Sequence, residues 1–237
     1  MVGFKRFVMA HHWLWTYQRS SHLYASRLNI CERYCRGEPI RKWIKRIAAL
    51  KTLKIKWDES IDDPEGSVFV LTVDGTDCRM DEPSHPTLPR DTKQCSHKHH
   101  HAASRYEIGL NVFKSQICWL SGPHRGGLPD KEIIKVSGLL HRVPVGKLVI
   151  ADGGYAIADT ELKKKISLPS RTDSKRLHNF KSRARLRHET LNSRLKNFEC
   201  LFTHSFRHGY DYHKDVFEAV CVTVQYQMDN GAELFAV

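Results

Sequence analysis

The sequence has no apolar run near the roughly 18–20 residues that a membrane-spanning helix requires. The apolar stretch from Phe7 to Tyr17 is broken by His11 and His12, where a secretory leader needs a clean apolar core, so secretion is not expected. No C-x-x-C pair occurs, and the seven cysteines are odd in number and scattered, which argues against a disulfide framework and for a reducing compartment. Gly126-Gly127 and Gly153-Gly154 lack the Lys-Ser/Thr ending of a nucleotide phosphate loop, so ATP chemistry has no support. Internal repeats are absent, and the His97–His101 cluster is the only biased tract.

The 237 residues carry a formal net charge of +12, unevenly spread. Residues 1–66 are net +6, residues 67–160 are +1, and residues 161–214 are +9, while residues 215–237 carry four acids and no base. Two basic blocks around a neutral centre suit a polyanionic partner, because each phosphate neutralised by Lys or Arg releases condensed counterions. A solvated, solubilising face is the other reading of the same charge. With 41% hydrophobic residues the chain can bury a sizeable core.

Apolar periodicity divides the chain. Ile40, Trp43, Ile44, Ile47 and Leu50 fall at helical spacing with basic residues opposite, which predicts an amphipathic helix. The acidic stretch at 58–66, with Pro and Gly, predicts a boundary near Gly66 between a helical segment (1–66) and a larger domain (67–237). Val68–Val73 reads as a strand buried on both faces that ends at Asp74-Gly75. Arg105–Val112 alternates as a strand with one wet face, turns near Lys114-Ser115 and pairs with Gln116–Leu120, closed by Gly122-Pro123. A short helix capped by Asp130 follows, and Lys147–Ala151 is a second buried strand ending at Asp152. Leu177, Phe180, Ala184, His188, Leu191, Leu195 and Phe198 make the buried stripe of a long helix. Val216–Met228 suggests a last helix, although its β-branched residues leave a strand open. The order predicts a mixed α/β arrangement.

The chemistry concentrates in three acids. Asp74 and Asp152 each follow a buried strand, where a carboxylate faces the crevice in which α/β folds place ligands; Asp-Gly also makes an ordinary turn. Glu189 is the only carboxylate between Asp173 and Glu199, inside the most basic part of the chain, and could instead serve as a salt-bridge partner of Arg185. Three carboxylates converging in a positive groove suit two hard divalent cations, magnesium or manganese, which take oxygen ligands and stabilise an in-line displacement at phosphorus. Lys181, Arg183, Arg185, Arg194 and Lys196 are the expected phosphate contacts. The Cys95–His101 cluster offers ligands for a structural zinc, but adjacent histidines cannot all face one ion, so a polar loop is the simpler expectation. His188 is expected to pack in the core, and Cys31 and Cys35 to be ordinary buried thiols.

Read together, V-D-G-T-D at Val73–Asp77, S-H-K at Ser96–Lys98, R-Y-E-I-G-L at Arg105–Leu110, the Gly122–Asp130 run, A-D-G-G-Y at Ala151–Tyr155 and R-H-E-T-L-N-S-R-L-K at Arg187–Lys196 resemble the DDE catalytic domain of PIF/Harbinger-type transposases, relatives of bacterial insertion-sequence transposases. The resemblance runs from about Ser67 to the C-terminus. It implies a ribonuclease H-like mixed sheet flanked by helices, in which Asp74, Asp152 and Glu189 bind two magnesium ions and act as a DNA endonuclease and strand transferase. Thirty-six residues lie between Asp152 and Glu189, a gap that suits the family. Arg185, Glu189 and Lys196 match the last three positions of the insertion-sequence Tyr, Arg, Glu and Lys signature, while Ser182 replaces the tyrosine. The resemblance also implies DNA as partner (element ends and target), a Myb-like helper protein, a homodimer and a nuclear location, for which Lys163–Lys165 is a weak signal of its own. Residues 1–66 would then be a helix-turn-helix remnant or a brace. A catalytically inactive DNA-binding descendant, or an RNA-cleaving relative, are the alternatives.

Overall fold

The computed structural model describes residues 2–17, 37–81, 91–202 and 206–237; Cys31 and Cys35 lie outside them. Three strands, β1 (Phe69–Arg79), β2 (Ala103–Asn111) and β3 (Ile117–Arg125), form an antiparallel meander. Two helices, α4 (Asp130–Ser137) and α5 (Leu139–Arg142), then carry the chain across to β4 (Leu148–Ile150), which runs parallel to β1. A further turn of helix, α6 (Thr160–Lys163), leads to β5 (Ile166–Ser167), parallel to β4. The sheet order is β3-β2-β1-β4-β5, so β1 is central.

Both faces of the sheet are covered. On one, Val70, Val73, Val149 and Ala151 pack with Ile134, Leu139 and Leu140 from the crossover and with Tyr155 from the turn after β4. On the other, Tyr106, Ile108, Leu110 and Ile117 meet the long helices α7 (Lys175–Lys196) and α8 (Tyr210–Asp229). The N-terminal helices α1 (Val2–Thr16) and α2 (Gly37–Ala49) share this second core through Leu14, Ile44 and Ile47, and the single turn α3 (Lys51–Lys54), with no buried residue, follows them. The stretch expected to join two domains is itself tied down: Ile61 is buried, and Asp58 accepts hydrogen bonds from Asn111 and Lys114.

Several elements differ from their sequence expectation for identifiable reasons. β1 does not end at Asp74 but runs on to Arg79, because Asp74 through Arg79 keep pairing with Ile108 through Ala103. What ends is the parallel pairing, whose last partners are Thr72 and Ile150. Asp74 therefore sits where the floor opens beside a strand that continues. β3 likewise passes through Gly122-Pro123, since an edge strand has a free side on which a missing N–H costs nothing. α8 is helical despite Val216, Val220, Val222 and Val224, because packing outweighs their weak preference: Phe217 stacks on Tyr106 at 3.7 Å, and the Tyr106 hydroxyl lies 2.7 Å from His213 Nδ1.

Candidate active site

The residues that line the opening where β1 and β4 part come from three elements. Thr72, Val73 and Asp74 belong to β1, Asp152 follows β4, and Arg185, His188 and Glu189 project from α7; together they line a cleft of about 90 Å³. A larger groove of about 590 Å³ lies between α1, α2 and α8; it shares no lining residue with this cleft and is lined by no carboxylate.

Asp74 is held on both oxygens. Its Oδ1 accepts from the Gly75 N–H at 2.8 Å and its Oδ2 from Asn192 Nδ2 at 2.9 Å. Its pKa is pushed up to about 6, first by burial and then by the negative charge of Asp152, with Asp130 adding to it. Asp152 caps the short turn at Gly153–Tyr155, where its carboxylate accepts from the Gly154 N–H at 2.8 Å. Glu189 is exposed on α7. Among the described residues no group of three or more His, Cys, Asp and Glu side chains stands in position to hold a metal ion. The three acids share a cleft without being drawn together around one point.

The surroundings are polar and partly unsatisfied. Arg185 lines the cleft with its buried Nε lacking a hydrogen-bond partner. His188 is buried with Nδ1 2.8 Å from the Thr72 hydroxyl, and burial, helped by the Arg187 charge, lowers its pKa to about 3, so it stays neutral. Behind Asp74, Arg105 Nε donates to Asp77 at 2.6 Å, and its Nη1 lies 3.3 Å from Asp130. Lys98 is near enough for its charge to favour ionised Asp74 and Asp130. Asp130 and Lys98 were not singled out as site residues in the sequence, though both fall inside the segments that carry the family resemblance. Asp130 looks there like an acid at a helix start, and Lys98 like part of a histidine-rich loop. That loop is held by its own contacts: His97 Nε2 lies 3.2 Å from the Gly127 carbonyl, and the rings of His99 and His101 stack at 5.5 Å.

The five expected phosphate contacts separate. Arg185 lines the cleft, and Lys196 lies over the Phe202 ring at 5.9 Å with its side chain partly exposed. Lys181 is buried and pairs with Asp173 at 2.9 Å while donating to the Leu168 carbonyl at 3.0 Å. Arg183 donates to the Ala236 carbonyl at 2.7 Å, and Arg194 to the carbonyls of Ala232 and Glu233. All three make contacts within the fold, Lys181 from a buried position. Lys181→Ala is accordingly expected to lower the unfolding temperature while leaving the affinity for DNA and its salt dependence unchanged. Thermal unfolding and a salt titration of duplex binding check this, and a lost affinity at unchanged stability would contradict it.

A mixed sheet of order β3-β2-β1-β4-β5 flanked by helices, with aspartates where the parallel centre opens, defines a ribonuclease H-like α/β protein. Within that class, the chain belongs to the DDE superfamily endonuclease family, which it matches over residues 73–225, well over half its length. No curated protein and no solved structure matches it.

Proposed function

We propose that this protein is a transposase-type DNA endonuclease and strand transferase of the PIF/Harbinger kind, using divalent cations held by Asp74, Asp152 and Glu189. The observation that carries the reading is the shared cleft: three acids far apart in the chain line it together with Arg185, whose buried Nε has no hydrogen-bond partner. The donor set is all oxygen, which suits magnesium or manganese, and two ions are proposed. Magnesium needs only one or two carboxylates, with water and substrate phosphate filling the rest, so a ready-made three-acid cage is not required before DNA arrives. Bound there, the cations would supply Lewis acidity for substitution at a phosphodiester.

The chain's own residues do the remainder. Asn192 and the Gly75 and Gly154 amides orient the two aspartates. Glu189, exposed on a rigid helix, can adjust its rotamer as substrate enters. Arg185 and Lys196 are proposed to hold the DNA backbone. DNA ends and target DNA are the proposed partners, with a Myb-like helper, a homodimer and a nuclear setting following from the family type.

Incubation with supercoiled DNA tests the reading: nicking with Mg²⁺ or Mn²⁺, abolished by chelation, is expected. Salt-sensitive binding without cleavage under any divalent cation would replace it with an inactive DNA-binding protein. Arg185→Gln is expected to weaken duplex binding uniformly across sequences and to reduce the slope of log affinity against log salt by about 1, whereas Arg183→Gln leaves both unchanged. Equal slopes for wild type and Arg185→Gln would remove Arg185 from the interface.

A further inference from the structure

The groove of about 590 Å³ between α1, α2 and α8 is open and apolar. Phe7, Val8, Ile47, Leu50, Val222 and Tyr226 supply most of its lining. Its rim is bare as well: Phe4, one turn before Phe7 and Val8, is 72% exposed, and Leu53, one turn after Leu50, is 64% exposed. With the exposed parts of Phe7, Val8, Leu50 and Tyr226, the patch amounts to roughly 500 Å² of apolar side-chain surface, near the upper end of what a monomer leaves uncovered in one place.

The charge around the groove narrows the choice of occupant. Lys54 is the only Lys, Arg, Asp or Glu in the lining, and it pairs with Asp229 at 2.7 Å. Lys51 pairs with Glu218 at 2.5 Å, and Lys45 lies 3.9 Å from Asp215. His11 stays neutral, because burial lowers its pKa. The acid-only stretch that begins at residue 215 is thus laid along basic residues of the N-terminal helices. A nucleic acid finds no free cation in this lining. Two copies of a chain of net charge +12, kept apart by that charge, can approach where it is locally cancelled. The shape agrees: an isologous contact needs a projection and a hollow on one surface, so that each copy fills the other. Phe4 projects beside the groove, and a hollow of about 590 Å³ has room for its ring. Two such faces cover about 1,000 Å² in total, the size at which a specific interface begins.

We infer that a second copy of this chain seats on the groove, with Phe4 of each copy entering the hollow of the other. This rests on the homodimer of the proposed function and on none of its cation ligands. Sedimentation velocity of the full-length protein over a concentration series is compared for wild type, Phe4→Glu and Leu53→Glu. A wild-type dimer is expected, with its dissociation constant raised about 10-fold or more in each variant. The unfolding temperature of the dissociated variants is expected to stay unchanged, since both side chains are exposed. A wild type that stays monomeric up to about 100 μM overturns both the inference and the homodimer, and leaves the groove to a different protein. A dimer that persists in both variants overturns the inference and leaves the homodimer standing. Should the variants fail to fold, Phe4 is replaced by photoreactive p-benzoyl-phenylalanine, which keeps an apolar ring there, in a mixture of ¹⁵N-labelled and unlabelled protein. Cross-links from position 4 to α2 or α8 that pair the two isotopes support the inference, and cross-links confined to one isotope overturn it.

Discussion

Asp74→Asn and Asp152→Asn are each expected to reduce metal-dependent nicking by at least about 10²–10³-fold, the scale on which removing one preorganised electrostatic contact acts. The stability of Asp74→Asn should move the other way. In the wild type this half-buried carboxyl is held near Asp152 and Asp130 at the cost of a pKa pushed up to about 6, so at pH 8 its ionised form is a strain on the fold. A neutral amide of the same shape relieves that repulsion: its oxygen keeps the Gly75 N–H, and its NH2 donates to Asn192 Oδ1, partnerless in the wild type, once the Asn192 amide turns over. An inactive protein that unfolds at the same or a higher temperature marks a site that trades stability for chemistry. Loss of activity together with loss of stability would instead mark Asp74 as structural.

The second large effect belongs to Glu107. It is wholly buried, Trp119 Nε1 donates to it at 3.2 Å and the Ser137 hydroxyl is also within hydrogen-bonding reach, yet its pKa is raised to about 7, chiefly by burial. The ordinary value of 4.5 stands for the unfolded chain, so the folded state binds the proton more tightly. The group's contribution is therefore kept at low pH and lost as pH rises through about 7. Glu107→Gln never ionises. Relative to wild type it is expected to gain about 3 kcal/mol by pH 8.5 and less than about 1 kcal/mol at pH 5. Denaturant unfolding at the two pH values checks this, and a gap that does not change with pH would contradict it.

Much of the site was legible in the chain itself. Asp74 and Asp152 stand out because a carboxylate and a glycine interrupt runs that are otherwise apolar, and Glu189 because it is alone among bases on a helix with a clear stripe. The basic residues of that helix were less legible. Lys181 lies one turn before Ala184 and two before His188, on the buried side, and its pairing with Asp173 depends on a loop that periodicity does not describe. Arg183 and Arg194 face the returning C-terminal segment, and nothing in their local sequence reports a carbonyl that comes from some forty to fifty residues away. β5, two residues long, is too short to show a pattern, and it exists because β4 offers it a parallel edge. Asp130 was hidden for a similar reason: an acid at the start of a helix is ordinary, and only the crossover reveals that this one lands between Gly75 and Gly154.

The central claim is that Asp74 and Asp152, where β1 and β4 stop pairing, bind a divalent cation. Crystals grown with Mn²⁺ and measured at its absorption edge locate the ion directly. Anomalous density between the carboxylates of Asp74 and Asp152 is the predicted result. Manganese bound only elsewhere on the protein, with these two aspartates ordered and bare, would contradict it.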